Sequence, residues 1–214
     1  MSQLQLVKPL SRLREEQKES RISSIEIEGL TLLRGNLTEL IGATSSGKTG
    51  YALGVLSKFT QEGEACVVID ASDSFDPVSA KSSGVNLENV LWVKCAGDIE
   101  KAMKAADLLV QAKGFGAVWI NFSNVKRGQL SYVPNSFWYR FRTLVRESPT
   151  ILLVTAKDSL LGSSAKSSFM LTRNRCVWKG LGKFKLIKEF RLNLKAKRTF
   201  TPVLSRIESN YEEV

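Results

Sequence analysis

From Asn36 onward, short apolar runs alternate with stretches of helical spacing. Leu37–Ile41 reads as a strand, a glycine-rich loop follows, and a helix is predicted from there through about Thr60. Further strands are predicted at Ala65–Ile69 and Val90–Val93. Between Ile99 and Lys113 the apolar residues Ile99, Met103, Ala106, Leu109 and Val110 recur at the spacing of one helix face, and Gly114-Phe115-Gly116 stops it. Ala117–Ile120 reads as a short buried strand and Ser136–Arg146 as an amphipathic helix. Pro149 then punctuates before a strand at Ile151–Thr155. Strands that are apolar throughout, alternating with helices, predict an α/β fold: a mostly parallel sheet covered on both faces.

The final third changes period. Phe169–Trp178 and Lys183–Lys195 alternate apolar with basic residues, with Phe184 and Leu186 facing one way and Lys183 and Lys185 the other, then Leu192 and Leu194 opposite Arg191, Asn193 and Lys195. Gly180-Leu181-Gly182 joins the two, so they are predicted as an antiparallel hairpin added to the parallel sheet. Before Asn36, Leu4, Leu10 and Leu13 fit the apolar stripe of a short N-terminal helix, an arm that either docks on a partner or packs locally. The organisation expected is a helical arm over 1–24, a core over 25–202 and a C-terminal tail over 203–214.

The loop after the first strand is GATSSGKT, Gly42 to Thr49. Gly42 and Gly47 let the backbone curl so that successive N–H groups, those of Ser45 and Ser46 among them, point inward at phosphate oxygens, and the following helix N-terminus adds its dipole. Lys48 would set its ammonium on the terminal phosphates and Thr49 its hydroxyl on a metal. ATP and Mg2+ are the ligands this motif implies. Hydrolysis needs more: an acid at the end of a neighbouring strand to hold the metal's water shell, and a carboxylate to orient the attacking water.

Composition narrows the chemistry. The 214 residues, 43% of them hydrophobic, suffice for one sizeable core. No apolar run approaches the roughly 20 residues of a membrane span. The first twenty residues carry mixed charge rather than a secretory leader, which sets the expectation of a cytoplasmic protein. Cys66, Cys95 and Cys176 each lie inside an apolar run and read as buried thiols rather than a disulfide or metal set. With no histidine, His-based acid–base and nucleophile arrangements are excluded. Charge is uneven: twelve of the 31 basic residues fall between Ala165 and Arg206 against the single acid Glu189, a concentration that favours nucleic acid or an acidic partner protein.

Beyond the loop, Val68-Ile69-Asp70-Ala71-Ser72-Asp73-Ser74-Phe75-Asp76-Pro77-Val78 and Gly84-Val85-Asn86-Leu87-Glu88-Asn89-Val90-Leu91 resemble the RecA recombinase family. The resemblance covers roughly Ile25 to Pro202 and is strongest across Gly42–Leu91. It implies a RecA-like phosphate-loop core with a mostly parallel central sheet, an antiparallel C-terminal hairpin and a short N-terminal helix. It also implies that the cutting groups are missing. Ser72 stands where the family carries its water-activating glutamate, Asn121 where it carries the metal-associated aspartate, and Ala156 where it carries the glutamine that senses the terminal phosphate. Bound ATP and Mg2+ are then expected to be weak or absent, unless Asp70 or Asp73 stands in for the lost acids. Asp76, before Pro77, reads as a turn former.

Lys195-Ala196-Lys197 resembles the family's Lys-x-Lys pair that reaches a neighbouring subunit's nucleotide, or is an ordinary basic face. With Lys183, Lys185 and Arg191 it makes up the candidate nucleic-acid or partner-binding set. The family's DNA-contact loops correspond to Phe122–Pro134, with Lys126 and Arg127, and to Lys157–Ser168. Within the superfamily, Val90-Leu91-Trp92-Val93-Lys94-Cys95, Gly114-Phe115-Gly116-Ala117-Val118 and Ser136-Phe137-Trp138-Tyr139-Arg140-Phe141-Arg142 resemble the ImuA-type mutagenesis accessory proteins. That resemblance implies a non-catalytic adaptor in DNA repair, active in damage-induced (SOS) translesion synthesis, with a Y-family-like translesion polymerase subunit or a RecA recombinase as partner. The competing expectations are an active, divergent RecA-paralogue ATPase or recombination mediator, and a DNA-binding module built on the hairpin. Arg140, Arg142 and Arg146 are placed as a basic edge of the aromatic helix, whose Phe137, Trp138, Tyr139 and Phe141 either pack on the sheet or face a partner.

Overall fold

A computed structural model of the chain describes residues 24–27, 29–179, 186–198 and 207–210, with side chains defined outside 174–179, 186–192, 198 and 207–210. The expected N-terminal helix, the Gly180–Gly182 turn, Lys183 and Lys185 lie outside the described residues, as do the side chains of Cys176 and Arg191.

Ten strands are described: β1 Ser24–Ile27, β2 Leu30–Leu33, β3 Leu37–Ile41, β4 Cys66–Asp70, β5 Val90–Lys94, β6 Ala117–Phe122, β7 Ile151–Ala156, β8 Ser167–Lys179, β9 Leu186–Arg198 and β10 Ile207–Asn210. The helices are α1 Lys48–Gln61, α2 Pro77–Ser82, α3 Ile99–Ala112, α4 Arg127–Leu130 and α5 Asn135–Val145. β3 to β10 form one sheet in the order β10-β9-β8-β3-β7-β6-β4-β5, parallel from β8 to β5 and antiparallel where β9 and β10 join. This is the α/β, mostly parallel sheet with an added hairpin that the pattern predicts.

The sheet is covered on both sides because its strands are apolar on both sides. In β4, Cys66 and Val68 face one core while Val67 and Ile69 face the other; in β6, Trp119 opposes Val118 and Ile120; in β7, Leu153 opposes Leu152 and Val154. One core is roofed by α1, through Tyr51, Val55, Leu56 and Phe59, and by the β1–β2 hairpin, through Ile25, Leu30 and Leu32. The other is roofed by α3, through Ala102, Met103, Ala106 and Val110, and by α5, through Trp138, Phe141 and Val145. At Gly116 the start of β6 runs so close to α1 that an added Cβ would lie 2.7 Å from the Phe59 ring.

Several boundaries differ from the sequence reading. β4 runs one residue further, to Asp70, and β6 two further, to Phe122, because these polar-ended strands stay in register with each other, Asp70 opposite Asn121. The β1–β2 hairpin and α2 carried too few periodic residues to be legible. Asp76 does more than form a turn: its carboxylate accepts from the Val78 and Ser79 amides at 3.2 and 3.0 Å and caps α2, with Pro77 supplying the first helical residue. Within the stretch read as a tail, Ile207–Asn210 pairs with β9.

The aromatic helix packs inward. Trp138 and Phe141 are buried, with Trp138 meeting Phe122 edge-on at 6.4 Å between ring centres, while Tyr139 stays 48% exposed. The proposed basic edge is largely engaged: Arg140 pairs with Asp107 of α3 at 2.6 Å and lies over Phe137, and Arg142 donates to the Ser163 carbonyl at 3.1 Å. Cys66 and Cys95 are buried free thiols as expected; burial pushes the Cys66 thiol up to about 12 and raises that of Cys95.

Candidate functional site

Loops at the carboxyl ends of parallel strands collect where the chain changes direction across a sheet. Here β3 sits between β7 and β8, while α1 carries the chain past β7 and β6 to β4. The loop Gly42–Gly47 leaves β3 at that point, tied to β7 by the Gly42 N–H donating to the Ala156 carbonyl at 3.3 Å. Two residues hold the curl in the left-handed region, Ser45 at φ 60° and Gly47 at φ 89°. Gly42 is required by space: an added Cβ would stand 2.3 Å from the Leu171 carbonyl oxygen and 2.7 Å from the Ser46 Oγ.

Gly47 is the N-cap of α1 and offers no side-chain cap, and the first turn of α1 holds no acid. The amide donors there remain free of a local side-chain acceptor, the arrangement that receives a phosphate. Lys48 is 4% exposed and closes the loop on itself, its ammonium donating to the Gly42 and Ala43 carbonyls at 2.5 and 2.8 Å. Burial, with a smaller contribution from the charge of Lys157, lowers its pKa. Ser46 is buried and Thr49 is exposed at the helix start, where its hydroxyl is open to a ligand.

The flanking positions form a closed network. Asn121 donates through Nδ2 to Asp70 Oδ1 at 3.2 Å and to Ser74 Oγ at 2.9 Å. Its Oδ1 accepts from Thr155 Oγ1 and the Ser123 amide, both at 3.1 Å. Thr155 Oγ1 in turn accepts from the buried Trp119 Nε1 at 2.9 Å. Asp70, fully buried, accepts from the Ser72 and Phe75 amides at 3.3 and 2.8 Å as well as from Asn121. Its oxygens therefore brace the loop after β4. Ser72 donates to the Asn121 carbonyl at 3.1 Å, and Asp73 is exposed at φ 50°.

A catalytic magnesium does not fit this donor set. The one buried carboxylate at the strand ends already accepts three N–H donors, two on Oδ1 and one on Oδ2. Among the described residues no group of three or more His, Cys, Asp or Glu side chains could hold a metal ion. Ala156 is buried in the core under α3 and α5, so its side chain faces away from the loop. The next residue, Lys157, is the one that reaches the site. It lines a cavity of about 290 Å3 together with Thr44 of the loop, Lys126, Arg127 and Asp158.

One residue that matters to this geometry escaped the sequence reading, and a second was read for another role. Glu39, in the middle of β3, is fully buried and anchors the loop after β7: it accepts from the Leu160 and Leu161 amides at 2.6 and 3.1 Å and from the Ser159 and Ser168 hydroxyls at 2.9 and 2.8 Å. An acid inside an otherwise apolar strand was the available signal. Lys157 was read as the first residue of a DNA-contact loop, and nothing in the sequence set it beside the phosphate loop. Of the candidate nucleic-acid set, Lys195 and Lys197 are exposed on β9, with Ala196 between them turned toward the core. Arg191 takes a register position opposite Arg175 on β8 and Glu208 on β10.

Residues 22–124 match the family model of the RecA N-terminal domain. The chain is 40% identical over 81 residues to the RecA protein of Rhodospirillum rubrum, covering 38% of this chain and 22% of that one. It is 38% identical over 90 residues to that of Methylococcus capsulatus, 42% of this chain and 26% of that one. To that of Deinococcus radiodurans it is 35% identical over 88 residues, 41% and 24% of the respective chains. The matched segment thus spans about a quarter of the length of these relatives.

Proposed function

For a chain whose residues 22–124 match the RecA N-terminal domain, we propose a non-catalytic accessory role in DNA repair, as an adaptor in damage-induced translesion synthesis. The observation that carries the non-catalytic part is the Asp70–Asn121–Thr155 network, in which the buried groups at the strand ends are neutral or already hydrogen-bonded. A phosphate loop in that setting has the means to grip an anion and lacks a base and a metal-holding acid. The adaptor role extends the likeness of the Val90–Cys95, Gly114–Val118 and Ser136–Arg142 phrases to ImuA-type proteins. Its partner is then a Y-family-like polymerase subunit or a RecA recombinase, and the role belongs to the cytoplasm, at the nucleoid. Among the described residues no helix is long and apolar enough to cross a membrane.

Two measurements test this. Phosphate release from ATP with Mg2+, with and without single-stranded DNA, is expected to match that of Lys48→Ala; turnover above that background refutes the non-catalytic reading. Affinity capture from cells is expected to recover a translesion polymerase subunit or a RecA recombinase, and recovery of neither refutes the adaptor role.

A second reading has its own support. Lys195 and Lys197 stand exposed side by side on β9, as a phosphate-tracking strand requires. Modest, sequence-independent DNA binding that weakens steeply with salt is expected, and charge reversal at Lys195 and Lys197 should reduce the slope. An unchanged slope removes β9 as the contact.

A further inference from the structure

A triphosphate carries several negative charges, and a site that holds it must supply positive charge in compensation. In a metal-using phosphate loop the divalent ion supplies much of it, and strand-end acids hold that ion's waters. This site is built with the opposite signs. The buried strand-end groups are neutral or already hydrogen-bonded, whereas the wall beside the loop is cationic: Lys126, Arg127 and Lys157 line one cavity with Thr44 of the loop.

We propose that this site binds the polyphosphate of a nucleoside triphosphate as a metal-free anion, with Lys48 inside the loop and Lys157 above it, supported by Lys126 and Arg127, in the place of magnesium. The proposal rests on the non-catalytic reading above and gives that site its ligand.

The placement of Lys157 follows from the strand register. Ala156 is the last residue of β7 and pairs with Ile41, the residue before the loop, and the Gly42 amide donates to the Ala156 carbonyl at 3.3 Å. The residue that follows must emerge beside the loop. The charge of Lys157 disfavours that of Lys48, and a polyanion seated between them converts that repulsion into two attractions. Lys48 need only swing from the Gly42 and Ala43 carbonyls, which it occupies at 2.5 and 2.8 Å, to meet a phosphate over the same loop. The ends of the wall are fixed independently: Glu39 pins the segment from Ser159 to Leu161 behind Lys157, and Asn121 pins Ser123 ahead of Lys126. Asp158 also lines the cavity and is the one carboxylate there, so it is the group a metal would have to use.

The experiment is calorimetric titration of the full chain with ATP, in excess MgCl2 and in excess EDTA. The expected dissociation constants agree within about threefold, and Lys157→Ala, an exposed position, weakens the EDTA value by about tenfold or more. Loss of affinity beyond about tenfold in EDTA overturns the proposal; if Asp158→Asn then abolishes the magnesium dependence, Asp158 holds a metal after all. No effect of Lys157→Ala also overturns it. So does absence of ATP binding in both buffers, including the case where a short single-stranded oligonucleotide binds and Lys157→Ala removes it, which assigns the cavity to a nucleic-acid backbone. Phosphate release above the Lys48→Ala background would sink the non-catalytic reading, whereas magnesium-dependent binding without release sinks only this inference.

Discussion

Restoring the acid at position 121 is expected to damage the protein before it restores any chemistry. In Asn121→Asp the amide that donates to Asp70 Oδ1 at 3.2 Å becomes a second carboxylate beside a buried one. Two unit charges at that 3.2 Å separation repel by about 5 kcal/mol at an effective dielectric of about 20. The new carboxyl can escape by staying protonated and donating an O–H to Asp70. From an ordinary aspartate value near 3.9, that costs about 1.5 kcal/mol at about pH 5 and about 5.5 kcal/mol at about pH 8. The folded-state pKa of the new group is therefore raised above its unfolded value. Between the two values the native state holds the extra proton, so stability falls as pH rises. Urea unfolding followed by tryptophan fluorescence, with the unsubstituted protein run in parallel, should show a penalty of about 1–2 kcal/mol near pH 5 that grows by about 3–4 kcal/mol near pH 8. The exchange Asp70→Asn with Asn121→Asp restores one donor and one carboxylate and should recover most of the loss, as a double-mutant cycle reads directly. A penalty independent of pH, or none, would falsify the contact between Asn121 and Asp70.

Three further outcomes follow from other parts of the molecule. Glu39→Gln leaves one accepting oxygen where the carboxylate serves four donors, so a loss of about 1–3 kcal/mol is expected, with faster hydrogen exchange at Leu160 and Leu161; unchanged exchange there would remove Glu39 as the anchor of that loop. ATP affinity should be flat through neutral pH and fall on the alkaline side, beginning below the ordinary lysine value of 10.5. A bound phosphate raises the pKa of Lys48 above its lowered free-state value, so binding is complete below the free-state value and is lost as pH rises through the bound one. An affinity that rises with pH would contradict this. Cys66, with its thiol pushed up to about 12, should resist iodoacetamide in the native protein near pH 8 and react once unfolded; native labelling at Cys66 by peptide mapping would contradict its burial.

Much of this was open to reading in one dimension, because the physics is local or periodic. Apolar runs that do not alternate, such as Val67–Ile69 and Leu152–Val154, require cover on both faces and so imply a parallel sheet between helices. GATSSGKT needs no tertiary context to be recognised, since its glycines and lysine act within one loop and one helix start. The neutral residues Ser72, Asn121 and Ala156 were equally visible as missing charges.

Only the folded chain decided what those positions do instead. Asp70 and Asn121 are fifty-one residues apart, and their pairing exists because β4 and β6 lie side by side in register. From the sequence Asp70 was a candidate acid; the sheet makes it a buried acceptor of three N–H donors. Glu39 and its partners are separated by 120 residues or more, and Lys157 reaches the phosphate loop only because β7 is the neighbour of β3. A sequence carries the charge of a side chain, but which charges meet depends on strand order. Strand order is settled by burying the whole sheet at once rather than by any one segment.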